Sequence, residues 1–290
     1  MTWKNETIST WIQHSPPCWA TELIQNWADV FPRDSPQADV YDFIQHAHTG
    51  PGDIDLDTVV GQWEHYAGQS WLNALFQPQY KPSKMQRILA MADANPGYYF
   101  STEPKDIFFD SINGHAWYSH GGGNHRTVVG KFLHAMARSK SACSPLLQSV
   151  HKAHYQVDWQ AFRTLKQLQN LIRERDLNIS VAPWKILLHR ERTGTHQTEI
   201  SETAFYVADY RFSSSGQFAH LHAEEFLKFA YWVLDQDGKF TTWDVARNWT
   251  GYLFGKYQGM LIYPGGASAS LISRRAFSKI RQLAWSKRLS

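Results

Sequence analysis

The sequence predicts an α+β protein, and three observations predict it. Two strand-like runs, Asp106–Asp110 and His115–Ser119, meet at Asn113-Gly114, the preferred pair for a type I′ hairpin turn. Two segments, 83–94 and 124–138, carry apolar residues at helical spacing. A longer pair of strand-like runs, 179–192 and 198–212, flanks Gly194. No period of 20–50 residues recurs, so repeat architectures are excluded. The 290 residues suit one large domain or two ordinary ones, and 43 % hydrophobic residues exclude a disordered chain.

The elements follow in order. Residues 1–30 read as short amphipathic helices broken at Pro16-Pro17. Trp3, Trp11, Trp19 and Trp27 stand eight apart, but the intervening residues do not repeat, so they read as core or partner-facing anchors. Residues 31–57, with Pro32, Pro36 and His48-Thr-Gly-Pro-Gly-Asp53, read as a loop. Within it, Asp53-Ile-Asp-Leu-Asp57 suits either a strand with three carboxylates on one face or a helix N-cap at Asp57. Residues 58–76 read as a helix. The helix at 83–94 starts at Pro82-Ser83, buries Met85, Ile88, Leu89 and either Met91 or Ala92, and stops at Asn95-Pro96-Gly97. After the hairpin come Gly121, Gly122 and Gly123, then a helix with Val128, Val129, Phe132, Leu133 and Met136 on one side. Further helices are expected at Trp159–Arg175, His222–Leu234, Thr242–Tyr257 and Ser270–Lys287. The organisation expected is an acidic, Trp-rich helical region at 1–76, a core at 77–150 and a C-terminal α+β region at 151–290 with a basic final helix.

Charge is unevenly spread. The net charge is +3, but residues 1–64 carry ten acids against Lys4 and Arg33. That front is at −8, and the remainder is at +11. Ser268–Ser290 holds six bases and no acid. Such segregation points to a polyanion such as DNA as partner for the basic part and to a protein partner for the acidic, Trp-rich part. A basic final helix complementing its own dipole is the plainer alternative. No run of 18 apolar residues occurs and residues 1–20 lack the pattern of a signal peptide, so no membrane span and a cytoplasmic location are expected. Only Cys18 and Cys143 are present, which excludes a disulfide framework and a four-cysteine zinc site.

One segment carries chemistry. A strand, then Gly121-Gly-Gly-Asn-His-Arg126, then a helix forms an anion-binding device. Glycine lets the backbone approach a ligand, and the first N–H groups of a helix lack internal partners. The helix dipole adds partial positive charge there. His125 and Arg126 fall in the first turn, where cations oppose the dipole unless an anion is bound. The alternative is a glycine-rich bend with both side chains in solvent.

Tyr118-Ser-His-Gly-Gly-Gly-Asn-His-Arg126, followed by Thr-Val-Val-Gly-Lys-Phe-Leu133, resembles the signature loop and helix of the ParB/sulfiredoxin superfamily. Ser83-Lys-Met-Gln-Arg87 is similar to the lysine-bearing helix of sulfiredoxin. The resemblance runs from Tyr80 to Arg138. It implies a ParB/sulfiredoxin-like core, a small mixed sheet with helices, between mostly helical additions. It also implies that Gly121, Gly122, Gly123, Asn124, His125, Arg126 and Thr127 hold the phosphates of ATP or another nucleoside triphosphate, with Lys84 adding charge. His125, Arg126 and Lys84 are then the catalytic candidates, with Mg²⁺ held mainly by the phosphates. The chain departs from the family in several places. Asn124 stands where sulfiredoxin has its catalytic cysteine, so sulfinic acid reduction is not expected. The loop has one more glycine, and neither the Arg-rich box of ParB nor a helix-turn-helix after residue 140 is evident.

The resemblance therefore implies phosphoryl transfer or hydrolysis, as an NTPase or a ParB-like nuclease. The alternative it leaves open is a non-catalytic DNA- or protein-binding accessory protein of a plasmid, phage or conjugative element. Asp106 and Asp110 are weaker catalytic candidates. His220-Leu-His222 with Glu224 and Glu225 has none of the common zinc spacings, nor do His46 and His48, and no metal site is expected.

Overall fold

The computed structural model describes residues 6–32, 39–114, 116–140, 145–175, 179–209 and 217–235. Among these the chain forms eight α-helices and nine strands, and the strands pair both parallel and antiparallel. The mixed sheet and helices agree with the α+β class. The expected helices at Thr242–Tyr257 and Ser270–Lys287, the basic stretch from Ser268, and Cys143 lie outside the described residues. Among the described residues no helix is long and apolar enough to cross a membrane. The fold divides into two compact units.

The first unit comprises Met1–Pro32, Ala47–Gln156 and Arg190–Thr198. Helix α1 (Ile8–His14) is capped by Thr7, whose hydroxyl accepts from the Thr10 N–H at 3.1 Å. The Pro16-Pro17 pair ends it, and a single 3₁₀ turn follows at Cys18–Thr21. Then come β1 (Gln25–Asn26), α2 (Trp27–Val30), β2 (Ile44–Ile54), β3 (Val59–Gln62), α3 (Trp71–Phe76), α4 (Pro82–Ala94) and α5 (Gly97–Phe100). The hairpin strands β4 (Phe108–Ile112) and β5 (Trp117–His120) lead into α6 (Asn124–Lys140), and β6 (Leu147–Val157) follows. Across the sheet these strands run β1-β3-β5-β4-β6-β2. The neighbours β1/β3, β3/β5 and β4/β6 are parallel, and β4/β5 is antiparallel.

Several sequence-based expectations are corrected. The loop expected over 31–57 contains the 11-residue strand β2, which runs through His48-Thr-Gly-Pro-Gly-Asp53. Pairing within the sheet overrides the turn signals of its own residues. The helix expected over 58–76 is strand β3 followed, after a loop, by α3 alone. Residues 1–76 are therefore not a helical region, since they supply β1, β2 and β3. In the β4–β5 hairpin Asn113 is left-handed, at φ 42°, but Gly114 is not, so the turn is not type I′. Asp53–Asp57 resolves towards capping, with Asp55 rather than Asp57 as the cap. The Asp55 side chain accepts from the Asp57 N–H at 3.0 Å and starts a 3₁₀ turn at Leu56–Thr58. Helix α4 buries Met85 and Ala92, while Met91 is exposed. Trp11, Trp27 and Trp71 are core residues.

The second unit comprises Arg33–His46, Val157–His189 and Glu199–Ser290. Helix α7 (Trp159–Glu174) is capped by Asp158, which accepts from the Ala161 N–H at 2.9 Å. It buries Ala161, Leu165, Leu168 and Ile172, one helical stripe. Strands β7 (Ile179–Thr193) and β8 (His196–Asp209) turn at Gly194, whose φ of 60° favours glycine, and the hairpin tip belongs to the first unit. Strand β9 (Gln217–His222) pairs antiparallel with β8 and leads into α8 (Ala223–Asp235). Phe43 packs on Phe162 and Phe205, at centroid distances of 5.3 and 6.0 Å, and Phe205 stacks on Phe226 at 3.6 Å.

Helix α6 is the organising element of the first unit. It buries Val128, Val129, Phe132, Leu133 and Met136, and also Lys131. The Lys131 ammonium donates to the carbonyls of Leu56 at 2.9 Å and Val59 at 2.7 Å. It also lies 4.6 Å from the Trp19 ring centroid and 4.9 Å from that of Trp71. Burial pushes its pKa down to about 8, which still leaves it largely protonated at neutral pH. Arg138, two turns on, pairs with Asp55 at 2.9 Å and with Asp57. The acidic run thus finds its counter-charge on α6. Replacing Lys131 by Met should lower stability by roughly 1–3 kcal/mol, because carbonyls lose a donor while a desolvated charge is removed. Urea denaturation measures this, and an unchanged or higher midpoint would show that those carbonyls do not need the ammonium.

Candidate functional site

The site begins where β5 ends. Gly121–Gly123 form one 3₁₀ turn, and α6 starts directly after it. Gly121 has φ 63°, a left-handed conformation that side chains resist. Gly123 is pressed on β4's approach: a Cβ there would lie 2.7 Å from Ile107 Cγ2. A glycine-rich strand-to-helix junction was the sequence-based expectation, and these contacts give its local cause.

The first turn of α6 is held from inside. Asn124 is buried; its Oδ1 accepts from the Ser119 hydroxyl at 3.2 Å, and its carbonyl accepts from Gln62 Nε2 at 3.1 Å. Arg126 donates from Nη1 to the Tyr98 hydroxyl at 2.8 Å and from Nη2 to the Asp106 carbonyl. Thr127 is fully buried, and its hydroxyl has no hydrogen-bond partner in the protein. Asp110 is buried beside His120, with 3.2 Å between Oδ2 and Nε2.

His125 is 3 % exposed. Its ring meets Tyr66 edge-on at 5.5 Å and lies 5.9 Å from Tyr80. It hydrogen-bonds the Lys81 backbone, and its Nε2 has no protein partner. Burial first, then the charges of Lys84, His65 and Lys81, push its pKa down to about 4. Around it the Tyr66 hydroxyl donates to the Tyr80 carbonyl at 3.0 Å, the His65 ring lies 4.1 Å from Tyr80, and the Lys81 ammonium lies 4.9 Å from the Tyr80 centroid.

The structure places Lys84, on α4, where its charge lowers the His125 pKa. It adds His65 and Lys81, which sequence reasoning missed. His65 lies in the segment misread as helix, and Lys81, at φ 45°, immediately precedes α4. A lysine before a helix-starting proline carries no local signal of a site. The expected conflict between two first-turn cations and the dipole is relieved within the chain: His125 is neutral at pH 7, and Arg126 is held by Tyr98 and Asp106.

Other candidates have structural partners. The His222 Nδ1 lies 3.3 Å from Glu202, the His222 backbone N–H donates to Glu225 at 3.1 Å, and the His220 ring stacks on Trp184 at 4.4 Å. His48 lies 3.1 Å from the Thr198 hydroxyl. Among the described residues no group of three or more His, Cys, Asp or Glu is arranged to hold a metal ion. Cys18 is an exposed free thiol.

Comparison with known proteins gives no matching family model, no matching curated protein and no matching solved structure.

A second buried imidazole lies on α6. His134 is 1 % exposed, stacks on Phe100 at 5.0 Å and lies 3.2 Å from the Pro145 carbonyl. Burial pushes its pKa down to about 4. The folded state then holds fewer protons than the unfolded one between about pH 6.5 and 4, so stability falls as the pH drops through that window. Urea titrations from pH 7 to 4 should show His134 contributing a slope of up to about 1.4 kcal/mol per pH unit. His134→Asn should remove that share, and an unchanged slope would refute it.

Proposed function

We propose that the chain is a phosphate-binding enzyme of the ParB/sulfiredoxin type, with a nucleotide or phosphodiester held at Gly121–Thr127 and phosphoryl transfer or hydrolysis as its reaction. The observation that carries this reading is the basic cluster at the start of α6: the Lys81 ammonium and the His65 ring lie 4.9 and 4.1 Å from the Tyr80 ring, which lies 5.9 Å from His125, and the charge of Lys84 also bears on that imidazole. A group of basic side chains at a helix N-terminus is a favourable place for a phosphate. His125 Nε2, a buried polar atom without a protein partner, belongs to the same turn and suits a phosphate oxygen once the imidazole is protonated.

In this reading the N–H groups of the first turn and Lys84 stabilise charge on the phosphoryl group. Arg126 joins them by exchanging Tyr98 and the Asp106 carbonyl for phosphate oxygens. His125, neutral when the site is free, is the general base or acid candidate. ATP or another nucleoside triphosphate is the expected ligand. Mg²⁺ would supply charge neutralisation between the phosphates and be held mainly by them.

A second reading, a non-catalytic DNA-binding accessory protein, is favoured by one observation. A row of rings leads away from Gly121: Trp63 to His120 at 5.1 Å, His120 to Phe108 at 5.3 Å, and Phe108 to His151 at 4.6 Å. His151 is exposed, and rings of this kind stack on unpaired bases.

Thermal shift with ATP, ADP, CTP, GTP and short DNA, with and without Mg²⁺, separates the two. A ligand that binds only the folded state raises its melting temperature. The enzyme reading expects a shift with a nucleoside triphosphate, phosphate release on incubation, and binding weakened about tenfold or more in Lys84→Ala. Salt-dependent DNA binding without turnover supports the second reading, and no shift with any nucleotide overturns the first. A bound phosphate raises the pKa of His125, so binding takes up a proton and tightens as the pH falls from 8 towards 5. Calorimetry in buffers of different ionisation heat measures that uptake; proton release would exclude His125 from contact with the anion.

A further inference from the structure

We propose that one face of strands β2, β6 and β5 binds a small planar aromatic anion, at a site separate from the turn at Gly121–Thr127 and independent of the function assigned to that turn. Strand alternation assembles it. His48, Gly50 and Gly52 share one face of β2, and Lys152 and His154 share one face of β6. With Pro51 and with Trp117 of β5 they line a partly open recess of about 380 Å³. That volume is in the range of small-molecule sites.

Three features define the ligand. The first is flat surface. The Trp117 indole is half-buried, and the His154 ring centroid lies 6.4 Å from it. The two rings are tilted by 50° to each other, and each offers aromatic surface at the recess for edge or offset packing of a ligand ring. The second is charge. Among the described residues the lining holds one ammonium, Lys152, two imidazoles, His48 and His154, and no acidic side chain. The Lys152 ammonium lies 4.5 Å from the Trp117 centroid and donates to the Asp53 carbonyl at 2.8 Å. An ammonium has three protons, so that bond leaves capacity for an anionic oxygen. The Asp53 carboxylate accepts from the Ser149 N–H at 3.1 Å and lies outside the lining.

The third feature is the backbone. Gly50-Pro51-Gly52 lies within an 11-residue strand, against the propensity of all three residues. A Cβ on Gly52 would lie 3.0 Å from Lys152 Cδ, and one on Gly50 would lie 2.3 Å from His196 Nδ1. The two glycines therefore let His196 and the Lys152 stem lie against the strand, from which the Lys152 ammonium reaches the Trp117 ring. Strand glycines are found where a ligand or another backbone comes close, and local rules are broken preferentially at functional sites. Stacking surface, an ammonium with donor capacity to spare and a strand that admits the lysine stem together suit an aromatic ring that carries a carboxylate or phosphate.

The test uses the full chain and 1-naphthoate as probe, with neutral 1-naphthalenemethanol as its control, by isothermal calorimetry. Naphthoate should bind saturably at one site. The alcohol should bind about tenfold more weakly or not at all, and Trp117→Leu and Lys152→Met should each weaken naphthoate binding about tenfold or more. Trp117 packs partly against the core, so circular dichroism first establishes that its variant folds. If it does not, Lys152→Met and His154→Leu carry the comparison. No saturable binding overturns the proposal. So does equal binding of the alcohol, and so does unchanged binding in the folded variants.

Discussion

The first unit depends on one buried charge. The ammonium of Lys131 lies under α6, bonded to the Leu56 and Val59 carbonyls and within 5 Å of the Trp19 and Trp71 ring centroids. A charge taken out of water must be given partners, and removing one partner leaves the other costly. Three segments far apart in the chain are therefore drawn to one helix. Arg138 extends the same logic to Asp55 and Asp57. Part of the acidic front is thus answered by α6 itself. Fixing α6 in this way also fixes its N-terminus against β4 and β5, where Gly123 meets Ile107.

That N-terminus illustrates how burial changes the meaning of a charged residue. By residue type, His125 and Arg126 are two cations in the wrong turn of a helix. In the fold, desolvation and the neighbouring Lys84, His65 and Lys81 keep the imidazole neutral, and the guanidinium is anchored on Tyr98 and the Asp106 carbonyl. The charges of Lys84 and Lys81 that bear on His125 lie outside α6.

Legibility in the sequence followed the range of the interactions. Helices α4, α6 and α7 were readable because their apolar stripes, starts and stops are set within four residues. The β7–β8 hairpin was readable from the strand runs around Gly194. Strand β2 was not, because Gly50-Pro51-Gly52 signals a turn locally and only its neighbours in the sheet make it a strand. Strand β3 was missed because four residues, Val59–Gln62, are too few to separate from an adjoining helical pattern. Of the candidate site, Lys84 and the turn through Thr127 are legible as a local motif, whereas His65 and Lys81 come to it only by packing around Tyr80. The high tryptophan count told of a core without saying which rings would meet; the contacts of Trp19 and Trp71 with Lys131 lie between segments distant in sequence.

By itself the sequence determined the α+β class, most helices, the long hairpin and the glycine junction before α6. These rest on backbone conformation and side-chain periodicity, which act between near neighbours. The tertiary structure alone decided the strand order β1-β3-β5-β4-β6-β2, the neutrality of His125, the partners of Arg126 and the burial of Lys131. Strand pairing, desolvation and ion pairing depend on which distant residues are brought into contact, and the protonation of a group follows from its surroundings in space.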